Sequence, residues 1–308
     1  MRVTHLEEPD VTQAFDGHEA ELLRLFDRPE SEVGDQLEAL LATSPGFLAE
    51  YHLSRQRHQL LSWYPFDPAS VVLEVGAGCG AMTGLLCDRV AHVHANEKFA
   101  TRGEVIARRF ADRPNLDVLI GGVERIRLER QADLVTCVGV WEYAGMFMPA
   151  EGDDRFTEPF ARFLCTLRGL VRDGGRLLLA IENKLGLAYL AGAEEDHLHY
   201  GPLEGVEDYP GYAGVRTFSL AGARRQFAAA GFGEATVYLP FPDYKLPRLV
   251  LREDAVERLH MTAGQLGALI PWHRPRLPLI NEHLLAHGLV DAEVLPVFAN
   301  SFLFDVAA

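Results

Sequence analysis

The sequence predicts an α/β protein, a doubly wound and mostly parallel sheet clothed by helices, preceded by a helical cap over residues 1–70. Three observations predict it. From residue 71 onward, apolar runs of strand length alternate with stretches of helical periodicity, the pattern of parallel strands joined by crossover helices. The first run, 71–75, stops at glycines on alternate positions, Gly76, Gly78 and Gly80. The second run, 92–96, ends at an acid, Glu97.

Each element follows from its own pattern. Segments 19–26 and 32–41 carry apolar residues at helical spacing, and Pro65 and Pro68 close the cap. Strands are expected at 71–75, 92–96, 116–120, 133–139 and 176–181, with helices at 81–89, 99–110 and 157–171. Gly174-Gly175 ends the last of these helices before a short turn. A helix at 219–230 stops at Gly231, a strand follows at 235–239, and 297–306 reads as one more strand. Between these last two strands lies an insertion, 243–296.

Composition narrows the function. With 308 residues and 48% hydrophobic content the chain has ample core for one large domain or a domain with a cap. A net charge of −15 argues against nucleic acid or an anionic membrane as the main partner. No apolar stretch approaches the ~18 residues of a membrane span, and MRVTHLEEPD lacks the layout of a signal peptide. Cys79, Cys87, Cys137 and Cys165 form no C-x-x-C pair and read as reduced, mostly buried thiols of a cytoplasmic protein. Arg102, Arg108 and Arg109 read as the solvated face of one helix.

The glycine turn carries the chemistry. Glycines there let the backbone adopt positive φ and let a ligand lie against the main chain. An acid closing the second strand, about 20 residues past the turn, is placed to accept both hydroxyls of a ribose. These features describe a nucleoside-cofactor site. With Ala81 in the last place, the turn also satisfies the dinucleotide pattern G-x-G-x-x-G/A. Glu74, two residues before Gly76, opposes that reading, because a pyrophosphate would lie close to its carboxylate. A ligand with a cationic amino-acid end, such as S-adenosylmethionine, would instead be welcomed.

The run Leu73-Glu74-Val75-Gly76-Ala77-Gly78-Cys79-Gly80 resembles the first motif of class I S-adenosylmethionine-dependent methyltransferases, and Glu97 resembles their ribose-binding acid. The resemblance implies a seven-stranded, mostly parallel Rossmann-like sheet with an antiparallel edge hairpin. Residues 132–143 resemble the fourth-strand motif, and Gly121-Gly122-Val123-Glu124 stand where the family's backbone meets adenine; the family's usual acid at the start of that loop is absent. A longer signature includes Tyr51-His52-Leu53-Ser54, Ile181-Glu182-Asn183-Lys184, Glu195-Asp196-His197, Phe241-Pro242-Asp243-Tyr244-Lys245 and Asn300-Ser301-Phe302. It is similar to bacterial methyltransferases encoded with surface-polysaccharide and secondary-metabolite glycosyltransferases.

The implied cofactor residues are Glu74, Gly76, Ala77, Gly78, Cys79, Gly80, Glu97, Lys98, Gly122, Val123, Val138 and Gly139, with Tyr51 closing from the cap. The acceptor belongs beyond the carboxyl ends of the strands. Trp141, Tyr143, Asn183, Lys184, Tyr244 and Arg274 are its expected contacts. His197, its tautomer held by Asp196, is the first candidate base, and Glu142 the second. Asp196, His197 and His199 also offer metal ligands, but no second cluster at ligand spacing accompanies them, so no metal is expected. Residues 186–214 read as a lid, and 243–296 as an acceptor-recognition element or a homo-oligomer contact. The expected activity is methyl transfer to a small molecule such as a sugar, phosphate, carboxylate or natural-product intermediate. A non-catalytic cofactor-binding partner of a biosynthetic enzyme and an NAD-dependent oxidoreductase are the alternatives.

Overall fold

The computed structural model describes residues 1–7, 19–27, 48–148, 158–198, 203–211, 214–258 and 279–308. It divides into two compact units, Met1–Cys137 with Leu170–Gly175, and Val138–Gly169 with Arg176–Ala308.

The first unit holds β1 (Arg2–His5), β2 (Val71–Val75), β3 (His92–Glu97), β4 (Leu116–Ile120) and β5 (Ala132–Val138). They run in the order β1-β4-β3-β2-β5, every pair parallel. Helices α1 (Glu19–Phe26), α2 (Thr83–Cys87) and α3 (Ala100–Arg109) accompany them. Helix α3 comes close to β4 because Gly103 has no side chain: a Cβ there would stand 2.6 Å from Ile120 Cγ1. Leu22 and Leu25 of α1 pack with Leu53, Val105 of α3 and Cys79 of the glycine turn. Each leucine so buried contributes about 2 kcal/mol. The apolar stripe of α1 thereby holds the cap to the turn.

The second unit contains α4 (Ala144–Phe147), α5 (Glu158–Leu170), β6 (Val171–Glu182), α6 (Leu187–Leu190), α7 (Leu220–Ala229), β7 (Ala235–Phe241), β8 (Leu249–Arg252), α8 (Glu282–Asp291), α9 (Leu295–Phe298) and β9 (Ser301–Ala307). Strand order here is β6-β9-β7-β8, with β6–β9, β9–β7 and β7–β8 all antiparallel. The β7–β9 pair is the expected antiparallel pair, but β8, supplied by the insertion, lies outside it and takes the edge.

Nine strands stand among the described residues in place of the expected seven. One extra is β1, inside a segment expected to be helical. Four residues alternating in polarity are too short to announce a strand, and β1 forms by pairing with β4 more than a hundred residues away, with Arg2 N donating to Asp117 Oδ1 at 3.0 Å. The other is β8, inside the insertion, paired with β7. The expected helix at 32–41 lies outside the described residues.

Candidate functional site

In the first unit, β2 delivers the chain into a turn with φ of +69° at Gly76, +59° at Gly78 and +81° at Gly80. Only glycine adopts such values without strain. A Cβ on Gly78 would meet nothing within 4 Å, so that backbone face is open; one on Gly80 would strike Phe110 at 2.6 Å. Ala77 N donates to Asn96 O at 2.9 Å, tying the turn to the end of β3. The Asn96 amide donates to Leu119 O and Gly121 O, which aligns the end of β4 with them.

Two acids flank this turn, and both are buried. Glu97 accepts from Gly78 N at 2.8 Å through Oε2 and from Phe99 N at 3.0 Å through Oε1. Burial raises its pKa against the pull of Arg102 and these amides. Glu74 accepts from Thr83 Oγ1 at 2.7 Å. Burial, reinforced by the charge of Glu97, pushes it up to about 8.

Arg109 departs from the expected solvated face. It donates to His52 O and Cys79 O, both at 2.9 Å, its guanidinium lies over the Phe26 and Phe110 rings, and burial lowers its pKa to about 10. Arg102 likewise turns inward, to Glu19 at 3.0 Å, whereas Arg108 stays at the surface with Asp27. The reason is that α3 packs against both β4 and α1, and the adjacent positions 108 and 109 lie about 100° apart around the helix, so they face different surroundings. Tyr51 lies beneath the Arg57 guanidinium at 4.3 Å, and Lys98 is half-buried. The adenine loop brings a residue that sequence reasoning missed: Gly122 N donates to Glu7 Oε1 at 2.9 Å, so an acid does stand at that loop, supplied by the segment after β1.

The second unit gathers a buried polar cluster. Gly139 follows β5 at φ +70°, and a Cβ there would lie 2.6 Å from Tyr244 Oη. Tyr244 donates to Glu182 Oε1 at 3.1 Å, and Lys245 Nζ reaches the same oxygen, Asp196 Oδ2 at 3.2 Å and Asp243 Oδ2 at 3.7 Å. Glu142 and Glu182 are both buried, and burial with the charge of Glu182 pushes Glu142 up to about 8.

His197 is held by Glu195, and not by Asp196 as expected. Glu195 Oε2 accepts from the backbone N of His197 at 2.8 Å and of Leu198 at 2.7 Å, which curls the carboxylate back and places Oε1 2.7 Å from His197 Nδ1. Asp196 points instead to Tyr189 Oη and Lys245. Burial pulls the His197 pKa down, but Glu195, Glu182 and Glu142 together raise it to about 9. Tyr143 packs edge-on against His197 with centroids 5.3 Å apart.

Of the expected acceptor contacts, Trp141 is core: it is fully buried, stacks on Phe218 at 4.3 Å and donates to Phe160 O. Asn183 is a backbone clamp, donating to Val297 O and Ala299 O at 2.8 Å and accepting from Leu185 N. Lys184 pairs with Asp208 at 2.7 Å, as does Arg216. Arg274 and His199 lie outside the described residues. The first part of the expected lid packs inward, with Leu187, Ala188, Tyr189, Ala191 and Ala193 all buried.

A parallel sheet with a glycine turn after one strand, an acid closing the next, and an antiparallel edge hairpin defines the Rossmann-like methyltransferase fold. The chain matches no protein-family model and no curated protein. Among solved structures it is similar to a chain from the complex of the Haloferax volcanii Trm112 methyltransferase activator with a methyltransferase. That match has 16% identity and a TM-score of 0.50, covering 89% of this chain and 96% of the other. A Thermotoga maritima S-adenosylmethionine-dependent methyltransferase aligns at 15% identity and TM-score 0.46, over 93% of this chain and 99% of that one. No helix among the described residues is long and apolar enough to cross a membrane.

Proposed function

We propose that the chain is an S-adenosylmethionine-dependent methyltransferase whose acceptor is a small molecule bearing a hydroxyl group. The observation that carries the reading is the open backbone face at Gly78 beside the buried carboxylate of Glu97. The residues present fit the cofactor. Backbone amides of Gly78, Lys98 and Phe99 orient the Glu97 carboxylate, whose two oxygens together offer about four acceptor positions, so capacity remains for a ribose hydroxyl. Glu74, buried and hard to ionise alone, is satisfied by a cationic amino-acid end. Gly76, Ala77, Cys79, Gly80 and Lys98 complete the turn; Gly122 and Val123 are assigned to adenine, and Tyr51, Val138 and Gly139 to the rest of the cofactor.

When bound, the cofactor supplies an electrophilic methyl group, so the chain's own work is to orient an acceptor, exclude water and receive a proton. Glu142, Glu182 and His197 are assigned to the acceptor. Their surroundings favour a neutral hydroxyl over a phosphate or carboxylate. Glu142, Glu182, Glu195, Asp196 and Asp243 crowd this cluster, and its lysine, Lys245, is paired with three of them. An anionic acceptor would meet like charge in a buried setting. Glu195 fixes the imidazole so that Nδ1 is engaged and Nε2 faces Glu182.

Calorimetric titration tests the assignment. S-adenosylmethionine should bind the wild-type protein and NAD should not. Gly78→Val, which fills the open face and forces a branched residue into positive φ, should abolish binding. A protein that binds NAD and ignores S-adenosylmethionine overturns the reading.

A further inference from the structure

The buried cluster of the second unit carries two oxygens that its hydrogen bonds leave unsatisfied. Glu142 Oε2 and Glu182 Oε2 have no hydrogen-bond partner among the described residues, though both side chains are almost wholly buried. An unpaired buried polar atom is costly, and more so when it is charged. These acids converge with a histidine: one oxygen from each of Glu142 and Glu182 and one ring nitrogen of His197 lie within 4.8 Å of one another. Glu182 Oε2 is 3.9 Å from His197 Nε2.

The outer contacts are arranged to match. Glu195 Oε1 sits 2.7 Å from His197 Nδ1, which leaves Nε2 as the nitrogen facing the two free oxygens; a cation bound there takes the place of the Nε2 proton. A carboxylate on one imidazole nitrogen, with the other nitrogen facing ligand atoms, is how metal-bound histidines are oriented and made more basic. Lys245 engages Glu182 through Oε1 and leaves Oε2 as the oxygen facing His197.

We propose that Glu142, Glu182 and His197 bind a divalent cation, with Glu195 as the carboxylate behind the histidine. Two carboxylates with one imidazole suit Mn²⁺ or Zn²⁺ better than Mg²⁺ or Ca²⁺, which take oxygen ligands. Bonds of about 2.1 Å in a tetrahedral sphere place ligand atoms about 3.4 Å apart. The 3.9 Å between Glu182 Oε2 and His197 Nε2 stands about half an ångström above that value. A cation here takes an acceptor oxygen as a further ligand and stabilises it after its proton has left to solvent. That role rests on the methyltransferase reading; the binding itself does not.

The test uses the full chain, freed of metal with a chelator and titrated with Mn²⁺, the free ion being followed by electron paramagnetic resonance. Calorimetry with Zn²⁺ runs in parallel. One site per chain is expected, weakened at least tenfold by Glu182→Gln and by Glu142→Gln, and roughly 10–100-fold by Glu195→Gln. Absence of Mn²⁺ and Zn²⁺ binding to the wild-type chain up to about 1 mM, where affinity is only about 4 kcal/mol, overturns the proposal without any variant. So does binding that both Glu→Gln variants leave unchanged. S-adenosylmethionine titrated into the same metal-free sample separates the two readings: failure there sinks the methyltransferase assignment, and the Mn²⁺ result stands by itself.

Discussion

Glu74→Gln isolates the protonation of the acid beneath the glycine turn. In the native chain burial raises this group from 4.5 to about 8, whereas in the unfolded chain it titrates near 4.5. A folded pKa above the unfolded one means that the native state binds the proton more tightly. The resulting stability is fully present below about pH 4.5 and is lost progressively as pH rises toward about 8. At 1.36 kcal/mol per tenfold change in proton affinity, that gap corresponds to about 5 kcal/mol. Glutamine keeps an oxygen for the Thr83 hydroxyl and cannot ionise. The variant should therefore match the wild type at pH 5 and melt higher at pH 9, by on the order of 8–10 °C for a chain of this size. Differential scanning calorimetry across that range reads the divergence. Melting curves that stay parallel from pH 5 to pH 9 would refute a proton held by burial. Adding S-adenosylmethionine at pH 9 should narrow the difference, because its cationic end satisfies the ionised wild-type carboxylate.

Three further outcomes are expected. Glu97→Ala should weaken S-adenosylmethionine binding by about 1.5–3 kcal/mol, the scale of a hydrogen bond to a charged group, as read by calorimetry; an unchanged Kd removes Glu97 from the ribose. Arg109→Met should leave two buried carbonyls, His52 O and Cys79 O, without their donor. It should lower stability by about 2–4 kcal/mol in denaturant unfolding, far more than loss of a solvated arginine would. His197→Ala should lower kcat on a hydroxyl acceptor with the Kd for S-adenosylmethionine unchanged, and wild-type turnover would take the histidine out of the reaction.

What was legible in the sequence was what short-range pattern encodes. Strands at 71–75 and 116–120 and the helix at 19–26 fall where periodicity places them, and the glycine turn and Glu97 declare themselves by spacing. Long-range convergence was not legible. Glu182 and Lys245 stand 63 residues apart, and nothing in either neighbourhood marks them as partners. Glu7 reaches Gly122 across 115 residues. The preference of His197 for Glu195 over the adjacent Asp196 depends on how one carboxylate folds back onto two backbone amides, a matter of local turn geometry. Arg109 was misjudged because a charged triplet looks the same whether its helix faces water or lies beneath a cap.

Gly139 and Tyr244 have a consequence for how this sequence can drift. The phenol oxygen occupies the volume that any side chain at 139 would need, at 2.6 Å from the position of a Cβ, and the backbone there sits at φ +70°. The same hydroxyl donates to Glu182. A larger residue at 139 is therefore admitted only after position 244 has shed its hydroxyl, and that step strips Glu182 of a donor before anything replaces it. Position 139 is thus tied to position 244, and position 244 to the acid it donates to. Laboratory evolution toward new acceptors should accordingly move through Tyr143 or Lys184 and leave this trio intact.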